Sequence, residues 1–269
     1  MTCLVAWIGV DSRGQTSCYL AADSRFSWSQ SGSQVWNHGR KVFCSRKSPD
    51  IWGYYGDVMF PSTVIGQIIE AVDEELLVLN EDSQSLFERA FREQLQAYPR
   101  KQIREFGVLH CRRVGEKMAT KFVIRHLRWG VGSGWKSNNL TQPNHSEVVG
   151  CFGSGSGEFK QWASRFTKSE VGGTSRAVFQ AFCRMLEEGK DPLVGGAPQI
   201  ASLIRVGNGR QHGVVWKGSA WLGGLRLSKG NFQPSIEFFN ERFERCNPKT
   251  LNRLLDAQSQ PLPSPIPED

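Results

Sequence analysis

Residues 2–25 read TCLVAWIGVDSRGQTSCYLAADSR, and the way this stretch turns back on itself decides the reading of the whole chain. Cys3 to Val10 is apolar except for Gly9. A half-exposed strand would alternate polar and apolar side chains, so this run predicts a strand covered on both faces. Asp11-Ser12-Arg13-Gly14-Gln15 reads as a turn, with Gly14 free to take a positive φ. Ser17 to Ala22 is a second short run. The two pair as a hairpin, and the pairing returns Ala21-Ala22-Asp23-Ser24-Arg25 to the side of the N-terminus.

Beyond the hairpin, residues 27–39 are rich in Ser, Gln and Gly and read as a loop. Lys41-Val42-Phe43 and Ile51-Trp52-Gly53-Tyr54-Tyr55 predict another strand pair across the polar turn 45–50. From Pro61 to about Leu79 the residues Val64, Ile65, Ile68, Ile69, Val72 and Leu76 recur at steps of three and four, the period of a helix with one buried face. Ser83 or Ser85 can cap a second helix that carries Leu86, Phe87, Ala90, Phe91 and Leu95 and stops at Pro99. Strands are expected at 105–112, 121–129, 148–152, 198–206 and 212–217, helices at 157–168 and 174–188, and a polar glycine-rich loop at 131–146. This order of strands, helix pair, strands, helix pair, strands suggests an α+β chain folded as a four-layer αββα sandwich. Residues 2–257 are expected to form its single domain. Residues 258–269, with Pro261, Pro263, Pro265 and Pro267, read as a disordered tail.

Composition narrows the function classes. The chain has 269 residues, 39% hydrophobic, enough for one large core. No apolar run approaches the roughly 20 residues that span a bilayer. The start lacks the basic and long apolar regions of a secretory signal, so a cytoplasmic protein with no membrane partner is the expectation. The net charge is +7, but Lys and Arg are spread through the chain without a nucleic-acid motif, and no nucleic-acid partner is expected. Seven scattered cysteines without a CxxC pair argue against a disulfide framework or a zinc site. His38, His110, His126, His145 and His212 show no metal-ligand spacing, so neither metal nor cofactor is expected.

Thr2 is the first candidate for chemistry. Once Met1 is removed, its hydroxyl and a free α-amino group sit on one residue, and an amine with a pKa near 8 can act as a base at about neutral pH. Many chains begin Met-Thr, so this signal needs company. It has it in Ala21-Ala22-Asp23-Ser24-Arg25, in Lys41 before Val42-Phe43, and in Gly56 where a strand runs into a helix. Gly153-Ser154-Gly155 and Asp191-Pro192-Leu193-Val194-Gly195-Gly196 follow later. In this order, on these elements, the motifs resemble those of proteasome β subunits and the bacterial proteasome-like peptidase, members of the N-terminal nucleophile hydrolase superfamily. The resemblance spans roughly residues 2–206.

The resemblance implies a role for each matched residue. Thr2 is the nucleophile and, through its amine, the proton acceptor. Lys41 stands beside the Thr2 hydroxyl and Asp23 holds Lys41. The plain alternative for Asp23 is a turn aspartate capping the hairpin. The Gly56 amide donates to the oxyanion, although a helix-entry glycine serves the same position. Ser154, or Ser156 in the other register of 153–157, and Asp191 orient the Thr2 amine. The family's Ser three residues after the Asp is Val194 here, one hydroxyl fewer. Cys3 becomes a nucleophile only if processing also removes Thr2. The implied activity is a threonine-type peptidase that cleaves peptides or proteins through an acyl-enzyme, inside a homo-oligomeric ring, with an AAA+ unfoldase as an implied partner. The alternatives are a small-molecule amidohydrolase of the same superfamily and an inactive structural subunit of such a ring.

Overall fold

The computed structural model describes residues 2–29, 31–77, 83–99, 102–228 and 235–263, and the side chains of 83–85 lie outside that set. Strands β1 (Leu4–Asp11) and β2 (Gly14–Ala22) form the expected hairpin, with Leu4 opposite Ala22. There follow β3 (Phe26–Ser27), β4 (Val35–Trp36), β5 (Val42–Cys44) and β6 (Asp50–Gly56), and helices α1 (Met59–Asp73) and α2 (Ser83–Ala97). Then come β7 (Phe106–Val114), β8 (Lys121–Gly130), β9 (Gly134–Asn139) and β10 (Glu147–Phe152), and helices α3 (Ser156–Thr167) and α4 (Ser175–Glu188). The chain continues through β11 (Gln199–Ile204), β12 (Arg210–Trp216), β13 (Ser219–Leu222), β14 (Leu225–Arg226), β15 (Phe238–Phe239) and β16 (Arg245–Cys246).

One sheet runs β10-β1-β2-β11-β12-β13-β14, with β15 beside β12 and β16 beside β15; a second runs β5-β6-β7-β8-β9; β3 and β4 pair separately. The period of two in β1 shows why Leu4 to Ile8 are apolar without a break. Cys3, Val5 and Trp7 pack with Phe159, Phe179 and Phe182 of α3 and α4. Leu4, Ala6 and Ile8 pack the other way, with Ile51, Leu109 and Ile124 of the second sheet. Trp52, Tyr54 and Phe106 of that sheet in turn pack with Phe60, Ile65, Phe87 and Phe91 of α1 and α2. Each fully buried Leu, Ile or Phe contributes roughly 1.5–3 kcal/mol, so the hairpin is held from both sides. Helix α4 is bounded as its sequence dictates. Thr174 accepts from the Ala177 amide at 3.2 Å, and Gly189 ends the helix in the left-handed region at φ 61°.

Several sequence expectations change. Residues 27–39 contain β4, which pairs with β3, and the Phe26 and Trp36 rings lie 5.7 Å apart; aromatic packing overrides the polar composition there. The 131–146 segment contains β9, whose Trp135 stands opposite Trp129 of β8. Helix α1 stops at Asp73, because Glu75 turns left-handed at φ 62° and leaves Leu76 78% exposed; Leu79 lies outside the described residues. The capping side chains proposed at Ser83 and Ser85 lie outside them too. Residues 218–257, for which the sequence pattern gives no element, contribute β13 to β16. Gln260 donates its amide to Glu244 Oε1 at 2.7 Å, and the Pro261 carbonyl accepts from Gln180 at 3.3 Å; residues 264–269 lie outside the described set. Among the described residues no helix is long and apolar enough to cross a membrane.

Candidate active site

The β1–β2 register places Asp23 directly beyond the Leu4–Ala22 pair, across from Cys3. Asp23 is fully buried and surrounded by donors. Its Oδ1 accepts from Lys41 Nζ at 2.8 Å and from the Cys3 amide at 3.0 Å. Its Oδ2 accepts from the Arg25 amide at 3.0 Å and the Gly195 amide at 3.1 Å. A carboxylate has about four acceptor sites, so this one is filled. Arg25 is held in turn, with Nε on Asn37 Oδ1 at 2.8 Å and Nη1 on the Pro192 carbonyl at 2.9 Å.

Lys41 immediately precedes β5, and its carbonyl accepts from the Tyr54 amide of β6 at 3.2 Å. The side chain is fully buried, with Nζ 5.8 Å from the centre of the Phe26 ring. Burial pushes the Lys41 pKa below the usual lysine range, and the Asp23 carboxylate opposes this. The site thus holds its lysine closer to neutrality than a surface lysine, in contact with a fixed acceptor.

Thr2 is 1% exposed in the chain that carries Met1; Met1 itself lies outside the described residues. The Thr2 carbonyl accepts from the Gly155 amide at 3.3 Å. Gly153 has φ +94°, and a Cβ there would stand 2.0 Å from the Thr2 carbonyl oxygen. Glycine is therefore required where the turn after β10 meets the N-terminal residue. Gly56 closes β6 at φ +89°, where a Cβ would come within 2.2 Å of the Glu105 carbonyl oxygen. That backbone accepts no other residue without strain.

Ser154, Ser156 and Asp191 are the remaining expected residues. Ser154 is exposed in the turn before α3, and Ser156 is the first residue of that helix. Asp191 is half-buried and commits Oδ1 to the Leu193 amide at 2.8 Å, while its carbonyl accepts from the Val194 amide at 3.1 Å. Its segment reaches the buried cluster through Gly195, whose amide is on Asp23. Val194 belongs to the apolar core beside Cys3, and its methyl groups abut Gly155. Cys3 is fully buried with Sγ 3.9 Å from Cys151 Sγ, and burial raises its pKa well above the ordinary thiol range. With Thr2 in place it therefore stays a protonated thiol at neutral pH.

Sequence reasoning missed Gln199. This side chain is 1% exposed at the start of β11, beside Ala22. Its Oε1 accepts from the Lys41 amide at 3.0 Å and the Val42 amide at 3.4 Å. Its Nε2 donates to the carbonyls of Gly39 at 2.7 Å and Asp23 at 3.2 Å, and to Ser24 Oγ at 3.0 Å. The only trace in the sequence is a polar residue opening a mostly apolar strand. Among the described residues no cluster of His, Cys, Asp and Glu is arranged to hold a metal.

No family model matches the sequence, and no curated protein matches it. Among solved structures, the chain is similar to Anbu, the ancestral β-subunit, from Yersinia bercovieri, with a TM-score of 0.52 at 11% identity over 76% of this chain and 81% of that one. It is also similar to eukaryotic HslV from Trypanosoma brucei, with a TM-score of 0.47 at 12% identity over 76% of this chain and 99% of that one. At such identity the likeness to Anbu shows the fold alone. The chain has a proteasome-like N-terminal nucleophile hydrolase fold.

Proposed function

We propose that the chain is a threonine-type N-terminal nucleophile hydrolase, a proteasome-like peptidase in which Thr2 becomes the nucleophile once Met1 is removed. The observation that carries this is the wholly buried Lys41–Asp23 pair, joined at 2.8 Å, whose shared oxygen also binds the amide next to Thr2. Burying a charged pair is expensive, and a purely structural N-terminus has no need of it.

In this mechanism the Thr2 hydroxyl attacks the substrate carbonyl. Its proton passes to the Thr2 α-amine, or to Lys41 when that group is neutral, and the lysine's position lowers the cost of the alkoxide. The Gly56 amide stabilises the tetrahedral oxyanion, a contribution of about 3–4 kcal/mol for one such donor. On collapse the C–N bond breaks, the leaving nitrogen takes the proton held by that base, and water then hydrolyses the ester left on Thr2, releasing the acid and restoring the hydroxyl. Ser154 and Asp191 orient the amine from the turn before α3 and the loop after α4. The same proposal comprises a four-layer αββα domain over residues 2–257, supported by the three apolar clusters. It further comprises peptide substrates, a homo-oligomeric ring, an AAA+ unfoldase partner and a cytoplasmic location.

The near-complete burial of Thr2 favours a second reading, an inactive structural subunit. Intact mass after treatment with an epoxyketone or β-lactone decides between them. The peptidase begins at Thr2 and gains one inhibitor per chain, and Thr2→Ala gains none. Activity in protein that retains Met1 quantitatively would overturn the mechanism, and an unlabelled chain with a free Thr2 would favour the structural subunit.

A further inference from the structure

Asp23 and Lys41 belong to different sheets. Asp23 follows β2 of the larger sheet and Lys41 precedes β5 of the smaller one. Their ion pair therefore bridges two sheets that no strand ladder joins. One side chain fixes both ends. Gln199, from β11, binds the backbone of Asp23 and the hydroxyl of Ser24 on one side, and the backbone of Gly39, Lys41 and Val42 on the other.

A primary amide suits this task as few side chains do. Its oxygen has two lone pairs for two amides, and its NH2 has two hydrogens shared among three acceptors. The donor and acceptor ends are opposite in polarity, so the amide fits in one orientation only. Ile200, Ala201 and Leu203 beyond it are apolar and buried, and a buried amide without partners is costly. Its presence needs a reason that packing does not supply.

We propose that Gln199 is a positioning residue, which fixes Lys41 Nζ against Asp23 by clamping the backbone on either side of the ion pair. Its consequence for turnover rests on the function proposed above, whereas its effect on Lys41 does not. Gln199 does not touch the reacting atoms and acts through Lys41. A displacement of about 1 Å in such a group can lower a rate about 100-fold.

The test compares wild type, Gln199→Met, Gln199→Glu and Gln180→Met. Gln180 is a buried glutamine on α4 that binds the carbonyls of Arg242 and Pro261, and it controls for the loss of any buried amide. Two readouts are taken: the saturation kinetics of Thr2 acylation by a β-lactone across pH, and the titration midpoint of the Lys41 side chain by NMR of 13C-lysine-labelled protein. Gln199→Met is expected to lower the maximal acylation rate about 100-fold, leave half-saturation within about threefold, and shift the Lys41 midpoint. Gln199→Glu keeps the two acceptor contacts and adds a carboxylate, which favours the ammonium, so the midpoint and the acid limb of the rate profile move to higher pH. Gln180→Met should melt lower and leave both readouts unchanged. Gln199 variants that melt lower but keep the wild-type Lys41 midpoint and rate profile would overturn the proposal. Failure of both to fold, with Gln180→Met folded, would overturn it too, by assigning Gln199 a structural role. If wild type is not acylated at Thr2, the function proposal falls, and the Lys41 midpoints still decide the role of Gln199.

Discussion

Replacing Asp23 by Asn keeps the shape of the side chain and removes the charge. Asp23 accepts four hydrogen bonds, two on each oxygen. Asn offers one oxygen and one NH2, so in either flip an NH2 faces two N–H donors. The Lys41 ammonium, wholly buried, also loses its counter-ion. Removing one partner of a buried pair costs about 3–5 kcal/mol, against a total stability of roughly 5–15 kcal/mol for a domain. The penalty carries a pH signature. Without Asp23, the carboxylate no longer opposes the burial that lowers the Lys41 pKa, so the folded value falls further below the ordinary 10.5. Between the two values the unfolded chain binds more protons than the folded one, so the variant gains stability as pH rises. The slope is about 1.4 kcal/mol per pH unit at most. The deficit relative to wild type should therefore shrink as pH rises from 7 to 9, with that slope as its ceiling. Urea unfolding of Asp23→Asn, Lys41→Met and the double variant at pH 7, 8 and 9 measures this. The double variant buries no charge and should lie within about 2 kcal/mol of wild type. An Asp23→Asn protein within about 1 kcal/mol of wild type at pH 7, with a flat pH dependence, would refute the reasoning.

Two further outcomes follow from single positions. Gly56→Ala puts a Cβ 2.2 Å from the Glu105 carbonyl oxygen at φ +89°; it should cost at least about 2 kcal/mol, and the displaced amide should slow β-lactone acylation about 100-fold. A variant that melts and labels like wild type would remove Gly56 from the site. His212 is buried against Ser202 Oγ at 2.7 Å, and burial holds its pKa down to about 4 from the usual 6.5. The unfolded chain binds the extra proton in that window, so stability should fall by about 2–3 kcal/mol between pH 7 and pH 4.5. His212→Gln should remove that part of the slope, and urea midpoints equally pH-dependent in both proteins would contradict it.

The hairpin and the helix pairs were legible because each writes a local mark, an apolar run or a helical period, and the motifs marked Asp23 and Lys41, which the structure joins at 2.8 Å. Two kinds of feature left no such mark. Strands β3 and β4 are two residues each in a polar stretch and β9 is polar apart from Gly134 and Trp135, and they exist through partners such as Trp36 on Phe26 and Trp135 opposite Trp129. Gln199 matters through five contacts with residues far away in sequence, and a lone glutamine announces none of them. Asp191 has a visible motif, and its Oδ1 also makes a turn with its own backbone by accepting from the Leu193 amide, a bond the motif does not announce.

The hydrogen bonds around Asp23 also say when the site comes into being. Gly195 is 172 residues from Asp23, and Gln199 is 158 from Lys41. While the ribosome is still extending the first two-thirds of the chain, Asp23 lacks one of its four donors and the backbone of Lys41 lacks its clamp. At about 5–20 residues per second, that interval lasts on the order of ten seconds or more. The centre waits for residues 195–199, so a nascent chain that stops short of them carries every residue of the hairpin without the finished geometry.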